Sequence, residues 1–298
     1  MMAGAPRSSP IDELLWREAM WSDLKGHSDW PLLKPEDLRK LRLYGGAAGI
    51  WLDKSVTGTI HPAGVAVSVL HTGKHYDDEF DSDGIIYHYP TTNRSAGHDA
   101  SEIEGVKQAG FLRIPIFVIL RKGKLREVRR GWVMDHDDQN RLFLIEFGQE
   151  RPVEIAVQVD QPFTARVQRK LTPDLVVRAE RNPRFKFEVV KRHSGVCAVS
   201  GLSVVEMLDG AHVVPVSSGG SDDPRNGLLL SASHHRAYDK HLWTINPKTL
   251  DIETTDKGPS LKMMKFEVSS VKHLLSNGAL PHPDALEMRY ELFEKSNS

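Results

Sequence analysis

The sequence predicts an α+β fold in two parts: an N-terminal β-barrel with flanking helices, then a smaller domain built on a β-hairpin and a helix. Three observations predict it. Between Tyr44 and Phe147, five short runs rich in Val, Ile and aromatic residues recur with one helical stretch among them, the texture of a closed or nearly closed barrel. Helix-forming sequence precedes that region. Beyond residue 190, short apolar runs alternate with glycine-containing turns before a histidine-bearing helical stretch. At 298 residues the chain can bury two cores. The expected divisions are a helical segment at 1–43, the barrel at 44–150, a basic connecting segment at 151–185 and the last domain at 186–298.

Each element has a local cause. Residues 1–8 read as disordered. Ser9-Pro10-Ile11-Asp12 starts a helix, with Ser9 as cap, Pro10 in the first position and Asp12 reaching back. Ile11, Leu14, Leu15 and Trp21 give it an apolar side as far as Leu24. A second short helix follows Pro35, over 36–43. Gly45, Gly46 and Gly49 then break any helix, and 65–70, 84–89, 114–119, 127–133 and 141–147 read as strands. The helix among them spans about 100–108. Asp99 and Glu102 at its start suit the helix dipole better than a second active site, and Trp132 suits the core. The connection over 150–192 ends in a helix. Strands are expected at 195–200 and 205–214, a flexible loop at 217–223 and a helix at 231–241. Leu286, Tyr290 and Phe293 make 284–295 an amphipathic closing helix.

Composition excludes several classes. Apolar residues make up 40% and charged residues 27%, which is ordinary for a globular chain. No apolar run approaches the length of a membrane span, and no basic leader precedes an apolar segment, so neither a membrane protein nor a secreted one is expected. The single cysteine, Cys197, cannot form an intramolecular disulfide or a four-cysteine zinc site, and a reducing cytoplasm fits. Net charge is −1, yet residues 161–195 hold nine Lys/Arg against three Asp/Glu. Such a stretch suits phosphate contact or, equally, a solvated surface joining two domains.

The chemistry-bearing residues lie in the last domain. Cys197-Ala-Val-Ser-Gly201, Leu208-Asp-Gly-Ala-His212-Val-Val-Pro215, Asn226-Gly-Leu-Leu-Leu230 and His234-His-Arg-Ala-Tyr-Asp239 follow one another there. In order and spacing these segments resemble the HNH (ββα-metal) nucleases over about 180–250, including the upstream Phe185-Lys-Phe-Glu-Val-Val-Lys-Arg. The resemblance implies metal-assisted hydrolysis of a phosphodiester, with a hairpin and one helix clamping a divalent ion such as Mg2+ or Mn2+. It makes His212 the general base, a role suited to a side chain whose pKa lies near working pH. Asn226 fixes the loop or reaches the metal, and His235 is a metal ligand. Asp209 is the candidate acidic ligand. Many HNH proteins carry an Asp directly before the base, where this chain has Ala211, so either Asp209 substitutes from three residues back or another group does. Tyr238 is expected in the core, Asp239 as a structural cap and Cys197 as a buried strand residue without a partner histidine. His234 is left as a neighbour, and no structural zinc is expected.

A second unusual segment lies in the barrel. Gly73 to Tyr89 packs five acidic residues between aromatic clusters. By itself it reads as an acidic β-turn with tyrosines pairing across a sheet. A carboxylate is also a good acceptor for the amino group of cytosine, and tyrosines stack on a base drawn out of the helix. The segment resembles the Tyr-Asp-Gly signature of the SRA domain, a barrel of the PUA superfamily that flips out modified cytosine. Gly49-Ile-Trp-Leu-Asp53 and Leu112 to Ile119 stand where that family keeps strands. The resemblance makes Tyr76, Tyr87 and Tyr89 stacking candidates and Asp78 or Glu79 the base-edge acceptor. Tyr89-Pro-Thr-Thr-Asn departs from the family's Thr-Gly-x-Gly-Gly. Arg94, with His98 beside it, and Arg184, Lys186, Lys191 and Arg192 are candidates for the DNA backbone.

Together the two resemblances imply a modification-dependent endonuclease that senses 5-methyl- or 5-hydroxymethylcytosine in double-stranded DNA and cuts nearby. One site per chain makes a homodimer, or two successive nicks, the route to a double-strand break. Two other readings stay open: a nuclease whose reader recognises another modification or DNA structure, and a DNA-binding module with a degenerate HNH fold, suggested by Ala211.

Overall fold

The first helix begins where its cap dictates. Ser9 accepts from the Asp12 amide and its hydroxyl donates to the Asp12 carboxylate at 2.8 Å, and α1 runs Pro10–Lys25. The computed structural model describes residues 7–45, 49–72, 81–91, 96–153, 162–167, 182–256 and 258–298. Its two compact units are Met1–Glu154 and Ile155–Ser298.

In the first unit, the elements after α1 are β1 (Leu32–Leu33), α2 (Pro35–Lys40), β2 (Ile50–Leu52), α3 (Lys54–Thr57), β3 (Ala66–His71), β4 (Gly84–His88), α4 (Ala96–Phe111), β5 (Ile116–Lys122), β6 (Leu125–Asp137) and β7 (Leu142–Phe147). Each of the five predicted strands is present, and β1 and β2 add two short ones. The sheet order is β2-β3-β5-β6-β7-β4, with β1 also on β6. The β3–β5 pair is parallel and the others are antiparallel.

Side chains of β5 alternate between two cores. Ile116, Val118 and Leu120 face Val106 and Ala109 of α4, whereas Phe117 and Ile119 face Trp16, Met20 and Trp21 of α1. That two-sided burial explains why the run is continuously apolar rather than alternating. Glu13 anchors α1 by accepting from Arg7 and from Arg17, whose other end donates to the Pro115 carbonyl at 2.6 Å. Trp132 is buried and donates to the Gly148 carbonyl. The helix predicted at 100–108 is longer at both ends.

Among the described residues, the strands of the expected closed or nearly closed barrel form a mixed sheet whose end strands β2 and β4 exchange no ladder hydrogen bonds. A side chain spans the two ends instead. The Tyr87 hydroxyl, on β4, donates to the Gly49 carbonyl at 2.9 Å and lies 3.4 Å from the Leu70 carbonyl. Strand order depends on contacts remote in sequence, which local patterning cannot supply.

The second unit contains α5 (Pro183–Arg192), β8 (Leu208–His212), β9 (Gly227–Ser231), α6 (Ala232–Asp239), β10 (Trp243–Ile245), β11 (Ile252–Thr254) and α7 (Pro283–Asn297). The strand predicted at 195–200 is absent. Ser194, Gly195 and Gly201 adopt positive φ, and the segment folds into turns closed by Cys197 N–H to the Leu202 carbonyl and Gly201 N–H to the Cys197 carbonyl. The strand predicted at 205–214 shortens to β8 behind a 3-10 turn at Val205–Met207. Tyr238 is fully buried as expected, under the Arg289 guanidinium of α7, which also donates to its carbonyl. Leu286 and Phe293 of α7 are buried, and Tyr290 donates to Glu253 at 2.8 Å. Among the described residues, no helix is long and apolar enough to cross a membrane.

Candidate active site

The site is built on the β8–β9 hairpin, where His212 pairs with Gly227 and Asp209 with Leu230. Two glycines let α5 press onto it. A Cβ at Gly227 would lie 2.3 Å from a Val189 methyl carbon, and one at Gly210 would lie 3.1 Å from the Lys186 Cα. The close approach lays the Phe185 ring flat on the His212 imidazole, with centroids 3.8 Å apart and planes 8° apart. His212 is 6% exposed, and its Nε2 lies 3.1 Å from Oδ1 of Asp222.

The loop after His212 is pinned rather than flexible. Its Gly219–Ser221 stretch pairs with residues 165–167 through an Arg166–Gly220 bridge, Val167 N–H to the Gly219 carbonyl and Ser221 N–H to the Ala165 carbonyl. Gly220 is required there, since a Cβ would fall 1.8 Å from the Val214 carbonyl oxygen. Asn226, wholly buried, holds the same loop from inside. Its Oδ1 accepts from Val214 N–H at 2.9 Å, and its Nδ2 donates to the Ser221 and Val214 carbonyls. Of the two roles the sequence left open for Asn226, these bonds serve the fixing of the loop, using both Nδ2 hydrogens and one of the two Oδ1 lone pairs.

Ser231 ends β9 and caps α6, which carries His235. His235 Nδ1 lies 3.2 Å from Asp209 Oδ2, and its Nε2 lies 3.4 Å from Asp239 Oδ2. Burial pushes the Asp209 carboxyl up, but the hydrogen bond and charge of His235, with Lys186 nearby, outweigh this and hold it below the ordinary carboxylate range. His212, His235, Asp239 and His241 share the lining of one cavity of about 290 Å³. Ala211, at the position where an acidic residue was sought, is fully buried.

Among the described residues, no three His, Cys, Asp or Glu side chains form a ready-made metal cluster. The donor pair still fits a divalent cation, the carboxylate suiting a hard ion and the imidazole a borderline one. Ligands about 2.1 Å from a Mg2+ ion sit roughly 3 Å apart along an octahedral edge, and such an ion keeps several waters. The separation of Asp209 Oδ2 from His235 Nδ1 is close to that edge.

The other predicted residues fall in different settings. Tyr76, Asp78, Glu79 and Arg94 lie outside the described residues. Tyr89 is buried against Phe143, 4.4 Å between centroids, and its hydroxyl donates to Asp138 at 2.8 Å. Tyr87 is half-buried on its bond to Gly49. Lys186 lies near Asp209, Arg184 is half-buried and Lys191 is exposed. Arg192 donates to the Leu280 carbonyl at 2.8 Å, which ties it to the fold.

Two groups were not foreseen. Asp222 was read only as part of a loop, because nothing in a Ser-Asp-Asp run says which carboxylate turns toward a histidine ten residues earlier. Cys197 does have a histidine neighbour. Its Sγ accepts from Ser231 N–H at 3.3 Å, Ser231 Oγ lies 2.7 Å from His234 Nδ1, and His234 Nε2 meets the Met264 carbonyl. Burial raises the thiol, but hydrogen bonding from His234 and its neighbours brings it down to about 7.

With this geometry in place, residues 197–246 match the family model described as HNH endonuclease. The chain carries an HNH nuclease domain. HNH nucleases use divalent metal ions. No curated protein matches the chain. Among solved structures, the modification-dependent restriction endonuclease TagI is similar at 20% identity and TM-score 0.33, over 87% of this chain and 90% of that one. KRYPTONITE, solved with mCHG DNA and SAH, is similar at 11% identity and TM-score 0.28, over 48% of this chain and 44% of its own. The phosphorothioation-dependent Type IV restriction endonuclease ScoMcrA is similar at 13% identity and TM-score 0.30, over 88% of this chain and 55% of its own. Scores this low leave the functional argument to the site itself.

Proposed function

We propose that the protein is a modification-dependent DNA endonuclease. The hairpin unit hydrolyses a phosphodiester, and the sheet unit, as an SRA-like domain, flips out and senses 5-methyl- or 5-hydroxymethylcytosine. The observation that carries the cutting half is the convergence of His212 and His235 on one cavity, with Asp209 on the His235 imidazole. His212 takes a proton from the attacking water in the cavity, and Lys186 and Arg184 would contact the DNA backbone. Asp209 and His235 would hold Mg2+ or Mn2+, which when bound supplies positive charge to offset that building on the phosphate and leaving oxygen. Asn226 acts by keeping the loop in place. The Asp209–His235 contact counts against a degenerate fold, since it sets a β8 carboxylate beside the helix histidine, where Asp209 would stand in for the missing acid at 211.

The sensing half rests on the acidic, tyrosine-flanked segment Tyr76 to Tyr89, with Asp78 or Glu79 reading the base edge. Arg94 and Lys191 would add phosphate contacts, and a homodimer in the cytoplasm would cut both strands. A second reading keeps the nuclease and changes the reader to one for a larger base adduct or a backbone modification. It is favoured by the commitment of the Tyr87 and Tyr89 hydroxyls to bonds within the sheet. Digestion of otherwise identical plasmids carrying unmodified, methylated, hydroxymethylated or glucosylated cytosine tests the proposal. Preferential cutting of methylated or hydroxymethylated DNA is expected. Equal cutting of all four overturns the sensing half, and no cutting with any divalent ion overturns the nuclease half.

A further inference from the structure

We infer that Asp222 is the residue that positions the general base, by holding the proton of His212 on Nε2 and leaving Nδ1 to take the proton from water. The inference deepens the reading of His212 as base and rests on it. Asp222 presents Oδ1 to His212 Nε2 at 3.1 Å and Oδ2 to Asn182 Nδ2 at 3.2 Å. An ionised carboxylate only accepts, so the imidazole nitrogen facing it carries the hydrogen. A neutral imidazole has one remaining lone pair, and it lies on Nδ1.

Everything around this pair restrains it. Asn182 is also the cap of α5, accepting from the amides of Arg184 and Phe185, so the helix that stacks Phe185 on the imidazole is fixed to the same carboxylate. Asn226 donates to the carbonyl of Ser221, the residue directly before Asp222, and Ser221 N–H is tied to Ala165. The base is thus held on its face by Phe185 and on its edge by Asp222. Asn226 acts one step further back, through the loop that carries Asp222. Carboxylates that orient a working histidine in this way fix both its tautomer and its direction.

The test reads the tautomer directly. In histidine-15N-labelled protein without metal or DNA, the His212 resonances are identified by their loss in His212→Ala. The wild type is expected to carry its proton on Nε2. Asp222→Ala should populate both tautomers and lower kcat for plasmid nicking by about 10- to 100-fold, with KM for DNA changed less than about 2-fold. Asp222→Asn keeps an acceptor oxygen and should restore the Nε2–H tautomer and part of the rate. A wild-type proton on Nδ1, or a wild-type kcat in a folded Asp222→Ala, overturns the inference. Should Asp222→Ala fail to fold, the wild-type tautomer decides alone. If the wild type cuts no DNA, the nuclease reading falls while the tautomer still judges Asp222.

Discussion

The hairpin unit and the sheet unit use buried polar groups in opposite ways. In the sheet unit they close on themselves: Tyr89 donates to Asp138, Tyr87 to Gly49, and Arg17 to Glu13 and Pro115. In the hairpin unit His212 and His235 instead line a cavity. Their outer partners, Asp222 and Asp239, remain partly exposed, at 28% and 51%. The contrast separates residues that hold a fold from residues a fold holds up for use.

The largest effect that would sharpen the contrast is His212→Ala. It should reduce plasmid nicking by about 10³-fold while DNA retention in a gel-shift assay stays unchanged. Residual cutting near the wild-type rate would make His212 another internal polar group. Next comes Asn226→Ala, which strands the buried Val214 amide and the Ser221 carbonyl and should cost about 2–3 kcal/mol in urea unfolding. A loss of activity with full stability would move Asn226 from support to chemistry.

A smaller effect depends on pH. His193 follows α5 at 3% exposure, and burial, then the charge of Arg192, pushes its pKa down to about 4. The unfolded chain binds a proton near pH 6.5 and the folded chain only near 4, so stability is full above that window and is lost as pH falls through it. The loss at pH 5 should be about 2 kcal/mol relative to pH 7.5, and His193→Phe should flatten that limb of the stability profile. Smallest is Tyr89→Phe, which removes one hydroxyl bond and should cost about 1 kcal/mol without altering preference among modified DNAs. A changed preference would place that hydroxyl in the base pocket and break the comparison.

The helices with explicit caps and the long strands were legible because their causes are local: Ser9 and Pro10 for α1, and the double-sided apolar run for β5. The meeting of Asp209 with His235, and of His235 with His212 at one cavity, was legible because one hairpin and one short helix convert fixed spacing into proximity. The strand expected at 195–200 failed for a reason visible only in backbone angles. Val196 and Val199 favour strand, but Ser194, Gly195 and Gly201 at positive φ turn the chain. Phe185, Asp222 and the Cys197–His234 contact depend on packing between segments far apart in sequence, and no local pattern marks which ring or carboxylate will face inward.

The clasp of residues 165–167 on the loop at 219–221 sets where a portable cutting module can begin. Cys197 to Asn246 is the stretch that matches the HNH endonuclease model. Yet the flat ring on His212 comes from Phe185, the brace on Asp222 from Asn182, and the clasp from Ala165 to Val167. A graft trimmed to the signature would transplant the reagents without the vise that aligns them. The smallest transferable piece starts upstream of residue 165, well before the first residue that looks like a nuclease.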